Sequence, residues 1–407
     1  MKKFISLWTG SSLILKILCG LVIGAVLGLA FPNASAIGIL GTMFIGALKA
    51  IAPLLVLLLV SCSIAKAGTG LGSRFRTVIV LYLASTLLAA VAAVLSSNLF
   101  PVTMILEEAA EGTPPGSLAE IFENLLVNMV ANPVSAVAEG NYIGVLFWAI
   151  VLGLALKAVA GEKTLQTISD ISDAVSKIIS WIIQFAPVGI LGVVYSSVAG
   201  NGLGIFTTYG KLVLLLVGTM LFAALIVNPV IVFLCLKKNP YPLIFRCLKQ
   251  SGVSAFFTRS SAANIPINMA LCEELGLDRD FYSVSIPLGS TINMDGAAVT
   301  ITVMSLAAAH TLGIHVPLPI AIVLSIVSTL GACGTSGVAG GSLLLIPMAC
   351  SLLGISADVS MQVVAVGFII SVIQDSVETA LNSSGDVIFT ATAEFFEQRR
   401  AQKKSAK

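Results

Sequence analysis

The sequence predicts an all-α polytopic membrane protein, and three observations carry that prediction. Apolar runs recur at residues 13–31, 37–64, 78–100, 143–156, 178–198 and 212–236, and most reach the ~20 residues that a helical crossing needs. Of the 407 residues, 57% are hydrophobic and only 10% charged, whereas a water-soluble domain carries ~25% charge. Strand alternation is missing, and the runs are too long for barrel strands.

The first run follows Lys2 and Lys3 and precedes Ala34-Ser35-Ala36, a pattern that mimics a cleaved leader. Its apolar core is too long for a leader and further spans follow, so an uncleaved first helix is expected. Positive residues set the orientation. Lys2 and Lys3, then Lys66, Arg74 and Arg76, then Lys157 and Lys163, then Lys237, Lys238, Arg246 and Lys249 fall in alternate inter-span segments, and Arg399, Arg400, Lys403, Lys404 and Lys407 close the chain. Residues 78–156 hold no Lys or Arg, and the acidic loop 107–116 inside them is expected outside. Both termini are then cytoplasmic. Lys16 and Lys49 interrupt two runs and are expected to snorkel. The net charge of +2 gives no sign of a nucleic-acid partner, and seven scattered cysteines with no CxxC pair suggest neither a disulfide frame nor a zinc site.

Beyond Lys249 four segments break the hydrophobic pattern. They are 254–266, with Thr258-Arg259-Ser260-Ser261; 289–296, with Asn293-Met294-Asp295-Gly296 inside the apolar stretch 281–312; the Gly-rich 331–342; and 374–386. Irregular backbone at membrane depth survives only where protein buries it or where it lines an aqueous cavity. The first and third segments are too broken to span and suggest re-entrant hairpins from opposite sides, each followed by a longer helix carrying ionisable residues. That repetition is the pattern of an inverted repeat, and such paired interruptions point to a transporter's midplane site.

The fourth segment can be tested by angle. At about 100° per residue, Asp375, Thr379, Asn382 and Asp386 fall on one stripe with Glu378 at its edge. Each carboxylate would cost at least ~2.5 kcal/mol facing lipid, so the stripe must face inward. One arginine, Arg259, cannot neutralise Asp295, Asp375, Glu378 and Asp386 together. The remaining charge calls for a cation, a proton or an amino group from outside, and oxygen ligands suit a hard cation. Tyr82, Ser85 and Thr86 share a face of the third run, where hydroxyls also serve as helix–helix glue. His310 and His315 fall near the outer end of a span. No phosphate-binding loop, GxSxG or HExxH occurs, which argues against ATP-driven transport and against a membrane enzyme.

At these four segments the sequence resembles the dicarboxylate/amino acid:cation symporter family, which includes the glutamate transporters. The motifs are Thr258-Arg259-Ser260-Ser261, Asn293-Met294-Asp295-Gly296, the tip 334–341 and Asn382-Ser383-Ser384-Gly385-Asp386. Within the family the chain resembles the members that carry serine and threonine with sodium. The resemblance implies eight transmembrane helices, two re-entrant helical hairpins and a homotrimer in the bacterial inner membrane. It assigns scaffold helices to 1–77 and 101–200 (with an external loop), and a moving, elevator-type transport domain to 78–100 and 201–398, with a basic tail at 399–407. It implies that Ser260, Ser261 and Asn382 hold the substrate carboxylate, that Asp375 and Thr379 hold its ammonium, and that a tip around Gly337 and Val338 closes over it. It implies sodium sites at Gly289, Asn293, Asn382 and Asp386; at Thr291 with carbonyls near Cys333 and Thr335; and at Tyr82, Ser85, Thr86, Asn293 and Asp295.

Two departures bear on the substrate. Family members that take acidic substrates carry an arginine where this chain has Glu378 and a threonine where it has Ala297. A glutamate repels a second carboxylate that an arginine would clamp, and a desolvated, unpaired carboxylate is costly. Glu378 is expected to pair with Arg259 and close the acidic subsite, leaving room for a small neutral amino acid. No organic cofactor is expected. The alternatives left open are a proton- or sodium-coupled carrier of dicarboxylates or acidic amino acids, and an ion channel.

Overall fold

The computed structural model describes residues 13–66, 73–106, 123, 126–335 and 340–405. The described chain is helical throughout, and its helices fall into two packed groups. In the first, α1 (Leu13–Ala30) and α2 (Gly38–Lys66) lead, after α3 (Ser73–Leu99), to α4 (Pro133–Glu139), α5 (Tyr142–Val159), α6 (Glu162–Gln184) and α7 (Ala186–Asn201). Helix α1 lies on α7, and α2 packs on α5, α6 and α7. The close approach has a sequence cause: Gly20, Gly24 and Gly28 recur every four residues on α1, and a Cβ there would stand 2.1, 2.5 and 2.9 Å from the carbonyl oxygens of Pro187, Leu191 and Tyr195. Small residues at this spacing let two backbones touch, which is how helices associate where no water drives them together.

The second group contains α3 and everything from α8 (Gly204–Phe222) onward. A π turn at Ala223–Val227 joins α8 to α9 (Asn228–Leu236), and another at Leu248–Gly252 joins α10 (Tyr241–Cys247) to α11 (Val253–Thr258). Then come α12 (Ser261–Glu274), α13 (Arg279–Ile292), α14 (Asp295–Thr311), α15 (Leu318–Ala332), a 3₁₀ turn at Gly341–Leu345, α16 (Ile346–Leu352) and α17 (Ala357–Ser405). Helix α14 is buried at every residue from 295 to 309 and packs on α3 and α17, so it forms the axis of this group. The outer faces are apolar instead: Val26, Val80, Leu154, Leu214 and Ile322 are all more than half exposed, as a lipid-facing surface requires.

Among the described residues six helical segments are long and apolar enough to cross a membrane, and α6 with α7 makes a seventh if the bent pair counts as one. The apolar run 178–198 contains the bend, of 55°, between these helices. Pro187 sits at the start of α7, where it has no N–H to give and disfavours a helical residue before it. Lys49 does more than snorkel: it pairs with Asp358 at the start of α17 at 2.5 Å. The acidic loop 107–116 lies outside the described residues.

Candidate functional site

The site forms where helices stop. Between α13 and α14 the backbone leaves helical geometry at Asn293 (φ −93°, ψ 86°) and Met294 (φ −126°, ψ 49°). A break inside a buried helix frees carbonyls on one side and N–H groups on the other, and each needs a partner. Thr86 Oγ1 accepts from Met294 N at 3.2 Å, and Asn382 Oδ1 accepts from Gly296 N at 2.7 Å. The Asn293 side chain crosses to α17 and donates to Asn382 O at 2.9 Å and to Asp386 Oδ1 at 3.1 Å. Three glycines make this approach possible. A Cβ at Gly296 would meet Glu378 Cα at 2.8 Å, one at Gly385 would meet Asn293 Nδ2 at 2.5 Å, and one at Gly289 would meet Asp386 Oδ1 and the Tyr82 hydroxyl, each at 2.8 Å.

Helix α3 closes the other side. The Tyr82 hydroxyl reaches Ser285 O at 3.1 Å, Asp386 O at 3.2 Å and Thr390 Oγ1 at 2.9 Å. Ser85 Oγ lies 3.3 Å from Asn293 Oδ1, and Thr86 Oγ1 lies 3.2 Å from Asp295 Oδ1. Tyr82, Ser85, Thr86, Asn293, Asp295 and Asp386 are all fully buried. Asp295 Oδ2 accepts from Asn228 Nδ2 at 3.0 Å, while Asp386 Oδ2 has no hydrogen-bond partner among the described residues. Hydroxyls, amides and carbonyls thus surround two buried carboxylates. Among the described residues no three His, Cys, Asp or Glu side chains converge as a metal cluster.

A second patch lies one to three turns earlier on α17. Arg259 caps α11 in the left-handed conformation (φ 52°) and brings its guanidinium to Asp375, with Nη2 and Nε 2.5 and 2.7 Å from Oδ2. This corrects the expected pairing of Arg259 with Glu378. Glu378 is instead occupied by neutral donors, for its Oε2 accepts from Thr300 Oγ1 at 2.7 Å, Ser342 Oγ at 2.8 Å and Gln374 Nε2 at 2.5 Å. The physical reason is that Asp375 already satisfies the arginine in a nearly dry place, the two side chains being 9% and 4% exposed, and Glu378 has no need of the charge. Ser260 caps α12, its Oγ accepting from Ala263 N at 3.2 Å, and Ser261 beside it is buried. Thr379 is buried with its hydroxyl given to Asp375 O at 2.7 Å.

The remaining sequence candidates sit around the end of α13. Thr291 Oγ1 donates to Leu288 O at 2.8 Å, Cys333 Sγ lies 3.5 Å from Ile292 O, and Thr335 is buried with its hydroxyl 2.8 Å from Ala332 O. The end of α15 therefore reaches the broken end of α13. Gly337 and Val338 lie outside the described residues. His310 is half-buried and His315 exposed, away from the breaks. Sequence reasoning passed over Asn228, Ser285, Thr300 and Thr390. It also passed over a buried knot in which Asn264 and Asn268 share Ser383 of α17, with Nδ2 to Oγ distances of 2.8 and 3.1 Å. The signal was available at Asn228, an amide inside the otherwise apolar run 212–236.

Apolar outer faces around a buried, oxygen-lined site at broken helices define a polytopic helical membrane transporter. The chain belongs to the sodium:dicarboxylate symporter family, which it matches over residues 13–395. It is similar to a protein of Bifidobacterium adolescentis named serine/threonine transporter SstT, 59% identical over 390 residues, covering 96% of this chain and 91% of that one. Proteins of the same name from Streptococcus agalactiae serotype Ia and Streptococcus thermophilus strain LMG 18311 are each 56% identical over 396 residues, covering 97% of this chain and 98% of theirs. These relatives are transporters and not enzymes, as is this chain by its family.

Proposed function

We propose that the chain imports small neutral amino acids, serine and threonine, by symport with sodium. The observation that carries this reading is Asp386 Oδ2, a carboxylate oxygen in a fully buried residue with no hydrogen-bond partner among the described residues. An ionised carboxylate is costly in such a place unless a cation joins it. Sodium would bind with Gly289, Asn293, Asn382 and Asp386, with Thr291 and the carbonyls near Cys333 and Thr335, and with Tyr82, Ser85, Thr86, Asn293 and Asp295.

The amino acid would bind next to these ions, its carboxylate at Ser260, Ser261 and Asn382 and its ammonium at Asp375 and Thr379, under a tip formed by Gly337 and Val338. The Arg259–Asp375 pair is neutral as a unit, and an incoming ammonium would replace the guanidinium on Asp375. A second carboxylate on the substrate would meet Glu378 and the apolar Ala297, which disfavours acidic substrates. The relatives' name, serine/threonine transporter, agrees with a hydroxylated neutral substrate.

In this reading the eight spans are α1, α2, α3, α5, the α6–α7 pair, α8–α9, α13–α14 and α17, and the two hairpins are α11–α12 and α15–α16. Residues 1–77 and 101–200 would be the scaffold, and 78–100 with 201–398 the part that carries the site across as an elevator. The protein would be a homotrimer in the bacterial inner membrane with both termini, including the basic 399–407, in the cytoplasm. Uptake of labelled L-serine and L-aspartate into proteoliposomes tests the proposal. An inward sodium gradient should drive saturable serine uptake, with little aspartate. Uptake driven by a proton gradient alone, or preference for aspartate, would replace it with a dicarboxylate carrier, and unsaturable flux with a channel.

A further inference from the structure

We infer that Asn228 is an ion-responsive member of the cation site at Asp295. Its amide donates to Asp295 when no ion is bound, and turns its carbonyl oxygen onto the ion when one binds. The inference rests on the sodium symport proposed above and adds to its ion ligands a residue from α9, a helix that contributes none of those named there.

Asn228 is fully buried, its Nδ2 lies 3.0 Å from Asp295 Oδ2, and its Oδ1 has no hydrogen-bond partner among the described residues. A buried amide that satisfies one end only carries the desolvation cost of the other. The backbone around it is shaped to hold it there. The π turn Ala223–Val227 sets the Asn228 N–H on Ala223 O, five residues back. Such turns are rare and concentrate at functional positions. Pro229 then has no N–H to offer, and the Leu225 carbonyl is met instead by the Tyr241 hydroxyl at 3.2 Å.

The chemistry of a carboxamide supplies the switch. A half-turn about its last torsion exchanges Oδ1 with Nδ2, which would put Oδ1 about where Nδ2 now stands, facing Asp295 Oδ2. Two oxygens so placed repel each other with nothing between them, so the empty site turns the donor inward. With a cation between them both are ligands, so the occupied site turns the oxygen inward. Thr86 serves the other carboxylate oxygen, Oδ1, at 3.2 Å, leaving Oδ2 as the one that Asn228 attends. A neutral ligand here adds an oxygen without adding negative charge, so one carboxylate still balances one ion.

The test compares the wild-type chain with Asn228→Ala and Asn228→Asp, reading the sodium concentration for half-maximal L-serine uptake and for half-maximal thermal stabilisation in detergent. Asn228→Ala should raise both at least tenfold while the rate at saturating sodium stays within about twofold. Asn228→Asp puts two carboxyls side by side, which share a proton, so its sodium requirement should become pH-dependent between about pH 5 and 8 where the wild type's is flat. If Asn228→Ala lowers stability or maximal rate with an unchanged sodium requirement, or if Asn228→Asp gains no pH dependence, Asn228 is a packing residue and the inference fails. If the wild type ignores sodium altogether, the symport proposal has failed instead.

Discussion

Asp375 sits in a nearly dry pocket with one guanidinium as its counter-charge, and the proposed ammonium site begins there. Removing one member of a buried pair leaves the other uncompensated, at a cost of about 3–5 kcal/mol. Arg259→Ala should therefore lower the melting temperature of the substrate-free protein, because Asp375 is then alone. Saturating L-serine should recover more of that loss than it adds to the wild type, since its ammonium restores the pair. An equal deficit with and without serine would show that substrate never reaches Asp375. Glu378 is a different kind of carboxyl, held on one oxygen by Thr300, Ser342 and Gln374. Asp375 and Glu378 lie three residues apart on α17, so helical periodicity places both near Arg259 and cannot say which one takes it. That choice depends on the three neutral donors, which converge only once α14 and the turn after α15 are folded against α17.

At the scale of elements, the site exists because helices break at fixed places and pack closely where they break. Gly289 is one example, its missing Cβ being 2.8 Å from both Asp386 Oδ1 and the Tyr82 hydroxyl. Gly289→Ala should raise the sodium concentration for half-maximal serine uptake at least tenfold. Gly218→Ala, with nothing within 4 Å, should change it little and gain about 0.4–1 kcal/mol of stability; equal effects in sodium titrations would remove the close approach from the account. The cap of α13 offers a pH test outside the membrane. Arg74 hydrogen-bonds Asp278 at 2.8 Å and, with the Asp280 N–H, holds its carboxyl below the usual aspartate range. A lowered folded value contributes stability that is present above the unfolded value and is lost as pH falls through the folded one. Asp278→Asn should thus melt earlier than wild type at pH 7, and the gap should close in acid; a gap that persists below pH 3 would assign it to capping alone. Much of this architecture was legible beforehand. The apolar runs located most of the helices, and the α17 stripe of Asp375, Thr379, Asn382 and Asp386 is buried as its period required. The bend before Pro187 and the π turn before Asn228 were not legible, because both sit inside unbroken apolar runs where hydropathy stays level while the backbone changes course.

For the whole molecule the governing quantity is charge in a dry interior. Asp295 and Asp386 face the same break from α14 and α17, with Asn293 on Asp386 Oδ1, and in the proposed reading the site next to them would accept an amino acid only when the local charge is balanced. Ion and substrate affinities must then be linked reciprocally, each raising the other by the same factor. Equilibrium binding of L-serine to the purified protein across a sodium titration, in wild type and Asp386→Asn, tests this most directly. The account predicts that sodium tightens serine binding to the wild type by a large factor, and that Asp386→Asn weakens serine binding while flattening its dependence on sodium. Serine binding that keeps its full sodium dependence in Asp386→Asn would contradict it, and would take the buried carboxylate out of the ion site.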